Sequence, residues 1–496
     1  MNLSNIFLAV ASVMLLAGFL SSCDNAFDES LDINRDPLQA TSADPNGVLP
    51  FVFTEYSARK VSELGTRISD VPHHVNNTFN SPKNGGNVSS FLTGNTWSTW
   101  YTNLLGNLQL VKQDAEAAGA PQNNVNAVAR IMQAHLFFEL TCIWEEVPYT
   151  QALDGEAFNQ PEFDDQETIL KGVVSDLDSA ILLIDNMPES GNFDFSFGDL
   201  IYDGDISLWR KLAVSMKIRT LMLIRNADPG FADPLLQDIL GADTPEYLTE
   251  NSEAAFFAYV GGSGARNAQY NIVNQFFGPS NEGALIYGPS PTMRDLLVDT
   301  NDPRGDIWMV DLSETGEFPV DDYPAFPADD ETVYSDNLIR ETLPDIYFLP
   351  GEIDFYRAEL AVLGVLPGVD ANEAFVDGVT KTLQYWGGEI DGFEGPAISS
   401  GQIQTYIDGR NFNGLSDEDK LTEIYNQLYL ETFLRPVVAW NHVRRTNTPA
   451  LDPPPAAVIP TILQRFTYPP DEVGSNANTP ANKPTDQPMW FAAGSN

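Results

Sequence analysis

Val125–Tyr149 reads VNAVARIMQAHLFFELTCIWEEVPY, and its spacing decides the fold class. Apolar side chains recur at Val125, Val128, Met132, Leu136, Leu140, Ile143 and Trp144, steps of three and four that line one stripe of an α-helix. The same period runs from about Glu167 through Ile169, Val173, Leu177, Ile181 and Ile184, and ends near Met187-Pro188. A third helix is predicted over Ile206–Ile224, with Lys211, Lys217, Arg219 and Arg225 toward the end where cations suit the dipole. Others cover about Glu352–Leu363, Asn372–Trp386, Ser416–Leu434 and Pro436–Arg445, with Ser416 ahead of Glu418 and Asp419 as a helix start. They come in pairs joined by short links, which predicts a mainly α protein of helical hairpins packed side by side. No fixed period of about 34 residues is visible. The interval from about 227 to 350 is rich in Gly, Pro, Asn and Asp with scattered aromatics, and is expected to be a loop-rich layer that carries function.

At the other end of the chain, Ile6–Leu20 is apolar apart from Ser12 and runs into Leu20-Ser21-Ser22-Cys23. A core of this length falls short of a bilayer span but suits a secretory signal. Small residues directly before a cysteine fit a lipoprotein signal over residues 1–22, with Cys23 as the lipidated residue. One departure is that no Lys or Arg precedes Arg35. Residues 23–46 read as an acidic, flexible leader and 47–496 as one domain. Cys142 is the other of two cysteines, so no disulfide is expected in the mature chain, and it reads as a small buried hydrophobe. With 70 Asp and Glu against 26 Lys and Arg, the net charge of −44 argues against nucleic acid and anionic lipid headgroups as partners. An acidic surface of this kind suits salty surroundings.

Enzyme signatures are missing. Gly261-Gly262-Ser263-Gly264 lacks the nucleophile-elbow spacing, and no phosphate loop or dinucleotide fingerprint occurs. The four histidines, His73, His74, His135 and His442, have no zinc spacing, and the pair His73-His74 reads as part of a polar loop. His135 and Glu139 lie one helical turn apart, in hydrogen-bonding reach. Adjacent carboxylates such as Glu145-Glu146 or Asp164-Asp165 carry no specificity for acid–base work in so acidic a chain. No cofactor is expected, and no motif indicates bound Ca²⁺ or another metal.

The aromatics are more telling. A sugar ring offers an apolar C–H face that stacks on an aromatic plate, while Asn, Asp and Arg side chains reach its hydroxyls. Trp97, Trp100 and Tyr101 follow a polar loop, His73–Asn95. Trp97, Tyr101 and Leu104 have the spacing of a buried helix stripe, whereas Trp100 falls off it and is the better ligand contact. Tyr270, Trp308 and Tyr323 sit in the middle layer. Together with His73 and Asn76 of the early loop, Trp97, Trp100, Tyr270, Trp308 and Tyr323 are the candidate ligand contacts.

Six motifs in order resemble the SusD/RagB family of outer-membrane nutrient-binding lipoproteins. They are Leu31-Asp32-Ile33-Asn34-Arg35-Asp36-Pro37; Trp144-Glu145-Glu146-Val147-Pro148-Tyr149, with Glu145 where the family's tight left-handed turn has glycine; and Gly204-Asp205 with Trp209, Lys211, Lys217 and Arg219. Next come Glu352 with Arg357-Ala358-Glu359 and Gly364; Trp440 with Arg444-Arg445-Thr446 and Pro449, Asn447 standing for glycine; and Arg465, Tyr468-Pro469, Glu472 and Asn476. Most read as scaffold. The resemblance implies a superhelical scaffold of tetratricopeptide-like helix pairs with a loop-rich ligand face. It also implies a surface-exposed, lipid-anchored place on the outer membrane, docked on a SusC-like TonB-dependent barrel, and non-catalytic capture of oligosaccharide. In such proteins the ligand aromatics belong to the early loops and the middle layer, here about His73–Tyr101 and Tyr270–Tyr323. A peptide ligand on the same machinery is one alternative, and a surface glycan hydrolase is another.

Overall fold

The computed structural model describes residues 44–77, 85–86, 88–277, 287–311, 332–389, 397–453 and 457–493. The signal, Cys23 and most of the acidic leader therefore lie outside the described residues. The leader expected to reach residue 46 gives way earlier: Asp44 accepts the Asn46 amide (3.1 Å) and caps helix α1, Pro45–Arg59. The glycine and two prolines in its first half masked this helix from the sequence, but its stripe of Leu49, Val52, Phe53 and Tyr56 is fully buried.

Beyond α1, a wide turn over Lys60–Gly65 leads to strand β1, Val75–Asn77. Helices α2, Ser90–Ser98, and α3, Gly106–Ala118, follow, joined by a widened turn over Thr99–Leu105. The scaffold then runs through α4, Asn123–Trp144; α5, Gln166–Asp185; α6, Ile206–Ala227; and α7, Pro229–Leu240. From α3 to α7 each helix packs on the next, the hairpin stack expected from periodicity. The predicted bounds of α4, α5 and α6 hold to within a few residues. In α4, however, almost every residue is buried, Gln133, His135 and Glu139 included. It is a central helix packed against α3, α5, α6 and the later helix Pro436–Thr446, so its apolar stripe is only part of what it buries.

The interval 227–350 is more ordered than expected. Besides α7 it holds α8, Ala268–Phe277, and α9, Pro291–Asp299. It also holds strands β2, Ala255–Phe257; β3, Tyr287–Pro289; β4, Met309–Asp311; β5, Thr332–Tyr334; and β6, Asp345–Phe348. All pairings are antiparallel: β1 with β3, β2 with β6, and β4 with β5. A second helical array closes the body: α10, Gly351–Val362; α11, Ala371–Gln384; α12, Ser400–Arg410; α13, Asp417–Glu431; and α14, Pro436–Thr446. Gly378 lets α10 and α11 approach closely, since a Cβ there would stand 2.8 Å from the Phe355 ring.

The turn after α4 settles what Glu145 does in a glycine position. Its φ of 74° and ψ of −79° keep the tight left-handed backbone although it carries a side chain. The strain is held by contacts that fix the residue from several sides. The Thr141 carbonyl accepts its amide (2.8 Å), Arg465 and Lys483 (2.6 Å) pair with its carboxylate, and the Trp490 amide donates to it (2.9 Å). Glu145→Ala and Glu145→Gly lose the same ion pairs, but only alanine keeps the strained Cβ. The alanine variant is expected to be about 1 kcal/mol less stable than the glycine variant in urea unfolding. Equal stabilities would show that the backbone here is unstrained. Asn447, the other residue in a family glycine position, takes the left-handed C-cap of α14 (φ 51°), which asparagine tolerates.

Candidate ligand-binding site

Two distant stretches meet at the β1–β3 pair. Val75 faces Pro289 and Asn76 faces Gly288. The Ser290 hydroxyl donates to the His73 carbonyl, and the Tyr334 hydroxyl to the His74 carbonyl. The early region is thus tied to the middle layer, the two regions in which ligand contacts were expected. The histidines themselves are not a polar loop. Both are buried; His74 bonds the Tyr429 carbonyl (3.0 Å) and packs on the Tyr429 ring (4.4 Å). Burial pushes His73 down to about 4 and His74 to about 3, so both are neutral at pH 7.

Three tryptophans proposed as ligand contacts belong to the core. Trp97 sits among the rings of Tyr101 (5.0 Å), Trp144 (5.1 Å) and Phe163 (6.1 Å), as its helical spacing suggested. Trp308 has no exposed surface and packs on Phe433 (4.5 Å) and Trp386 (4.9 Å). Trp100 is corrected most sharply: its exposure is 0%, and its indole N–H donates to Glu139 (3.0 Å). Both of its faces are enclosed, so no sugar can stack on it in this arrangement. The widened turn over Thr99–Leu105 explains the miss, because the simple helical period used to place Trp100 fails there. Asn76 lies in β1, with its backbone alone described, and Tyr323 lies outside the described residues.

Tyr270 differs from these. It is half-buried in the first turn of α8, which Asn267 caps by accepting the amides of Gln269 (2.8 Å) and Tyr270 (3.3 Å). Asn267 is anchored in turn, donating from its side chain to the Leu343 carbonyl (2.8 Å). The Arg266 guanidinium stands 5.8 Å from the Tyr270 ring centre and pairs with Glu341 (3.1 Å). The Gly262 amide (2.7 Å), Arg266 and the Tyr270 hydroxyl hold the Glu341 carboxyl below the usual carboxylate range. An aromatic ring with a guanidinium and a carboxylate beside it can stack on a sugar ring and bond its hydroxyls. The sequence reading found Tyr270 but not Arg266, Gln269 or Glu341. The available signal was Arg266-Asn267-Ala268-Gln269-Tyr270 directly after the glycine run.

Behind this face lies a cavity of about 50 Å³ lined by Lys60, Ser69, Val75, Gln269, Tyr334 and Phe433. It has room for a few waters. On its wall Lys60 bonds Asp345 (2.7 Å) and the Ile346 carbonyl. A larger cavity of about 250 Å³ opens at the far end of α14, beside Asn447, Asp452, Thr461 and Gln464, and among the described residues no aromatic lines it.

The carboxylates weighed for acid–base work have structural partners. Asp164 accepts the amides of Tyr149 (3.1 Å) and Thr150 (2.7 Å), and Asp165 caps α5. Buried Glu139 accepts from Tyr56 (2.9 Å) and Trp100, and the Tyr56 hydroxyl also meets His135 (2.6 Å). Burial pushes Glu139 up to about 7, although Lys60, Trp100 and Tyr56 oppose it. Between pH 4.5 and 7 the folded chain therefore keeps a proton here that the unfolded chain releases, so this group lowers stability as pH rises. Asp345 adds to the effect, whereas His135 is held neutral by its own burial. Glu139→Gln is expected to gain about 2 kcal/mol relative to wild type between pH 5 and pH 8 in urea unfolding. A difference that stays constant with pH would contradict it. Cys142 is buried, with its thiol pushed up to about 12 by burial, as suits an inert core residue.

A family profile described as SusD-like, starch-binding associating with outer membrane, matches residues 58–469. The chain belongs to this SusD-like family. Three similar solved structures agree on the fold. A chitin-binding protein is 21% identical with a TM-score of 0.74, over 91% of this chain and 100% of its own. A Bacteroidetes SusD-like protein, AC2a, is 18% identical with a TM-score of 0.74, over 91% and 100%. A SusD/RagB family protein from Bacteroides thetaiotaomicron is 20% identical with a TM-score of 0.73, over 92% and 100%. No curated protein matches the sequence. SusD-like proteins are binding proteins associated with the outer membrane, and the mainly helical scaffold found here is theirs. Among the described residues of this SusD-like chain no helix is long and apolar enough to cross a membrane, and no cluster of three metal-ligating side chains occurs.

Proposed function

We propose that the chain is a non-catalytic, lipid-anchored protein of the outer-membrane surface that captures an oligosaccharide and passes it to a SusC-like TonB-dependent transporter. The observation that carries this reading is half-buried Tyr270, set beside Arg266 and Glu341 where the early and middle regions of a SusD-like chain meet. Cys23 supplies the anchor and the acidic leader the reach, which keeps the binding face near its transporter at high effective concentration. The chitin-binding protein of the same fold puts chito-oligosaccharides first among ligands to try.

Titration calorimetry of the purified chain against a glycan panel, followed by product analysis, tests the reading. Binding without shortened products is expected. Tyr270→Ala is expected to weaken that binding by about 1–2 kcal/mol with the fold intact. Shortened oligosaccharides would make the protein a hydrolase, and binding of peptides in place of glycans would make it a peptide carrier.

A further inference from the structure

The cations at the candidate face stand beside acids. Lys60 is buried and pairs with Asp345, and Arg266 pairs with Glu341. Nearby Arg67 pairs with Glu63 (2.8 Å), and Arg304, also buried, pairs with Asp302 (2.6 Å). The chain as a whole carries −44.

A carboxylate or sulfate on a glycan, drawn out of water onto a protein, needs a cationic donor to offset the loss. Here that donor would have to be taken from Asp345 or Glu341, leaving an acid unpaired. We infer that the face selects glycans by charge: it takes neutral chains, prefers amine-bearing ones and rejects uronate or sulfated ones. The inference rests on the glycan-binding reading and narrows it to a substrate class. The negative potential attracts protonated amino sugars at low salt and repels polyanions, and the attraction fades beyond about 10 Å at 0.1 M salt.

The test is calorimetry of the whole mature chain with hexamers of chitin, cellulose and xylan, of chitosan, and of alginate and polygalacturonate. Titrations are run at about 0.02 M and about 0.5 M NaCl, which span screening lengths from about 20 Å to a few ångströms. Binding confined to neutral and amine-bearing chains is expected, with chitosan affinity falling several-fold as salt rises and neutral-chain affinity flat. Alginate or polygalacturonate bound as tightly as the best neutral chain would overturn the inference while leaving the glycan reading standing. No binding of any hexamer would overturn both. Glu341→Gln, which leaves Arg266 without its acid, is expected to raise uronate affinity at least several-fold; no change would overturn the part given to that ion pair.

Discussion

Glu352→Ala is expected to cost the fold about 3–5 kcal/mol, the range for removing one partner of a buried ion pair. Glu352 opens α10 with no exposed surface, and its carboxylate accepts from Arg219 (2.6 and 2.8 Å), from Arg435 and from Tyr356 (3.1 Å). One acid therefore joins α6, α10 and the residue that leads into α14. Without it Arg219 is left without its acid in the core and Arg435 keeps only the longer pair with Glu431 (3.6 Å), both guanidiniums being at most 3% exposed. Burial works to raise the Glu352 carboxyl, but Arg219 and Arg435 overcome it and hold the group below the ordinary range. The folded pKa is thus depressed, so the contribution is complete above about pH 4.5 and is lost as pH falls through the folded value. Urea unfolding of the variant at pH 7 checks the size. A loss under 1 kcal/mol would mean that the cluster rearranges around the gap.

Trp100→Ala is expected to destabilise by a similar amount, about 3–5 kcal/mol, because a large ring leaves a filled core. Glu139 also loses one of its two donors, the indole N–H. The decisive comparison is between stability and binding. In a variant kept folded at low temperature, glycan affinity is expected to match wild type, since the indole is enclosed. Trp100→Phe keeps most of the apolar volume and should recover much of the stability. A loss of affinity in Trp100→Phe with unchanged stability would return Trp100 to the ligand site.

These two residues show what the sequence could and could not disclose. Glu352 was legible as scaffold because it stands in a family motif, and the helices that carry Arg219 and Glu352 could be bounded from apolar period alone. The partnership itself joins residues 133 positions apart, and no local pattern encodes that. Trp100 was misplaced because a helical period was continued through a turn that widens. The helix α1 was missed because Pro45, Gly47 and Pro50 punctuate it, although a proline in a helix's first turn costs little. Strands of three or four residues, such as β1 and β3, are too short to show alternation. Tyr270 could be singled out as an aromatic in a polar layer. Its neighbours could not, because Glu341 reaches Arg266 only once β2 and β6 have brought their flanks together.

A crystal structure of the chain with a chito-oligosaccharide, or with the tightest-binding neutral glycan of the panel, tests the central claim most directly. The expected result is an intact oligosaccharide on the outer face beside α8, one ring stacked on Tyr270 and its hydroxyls bonded by Arg266 or Glu341. A glycan seated in the cavity beside Asn447 and Asp452, with Tyr270 untouched, would contradict it.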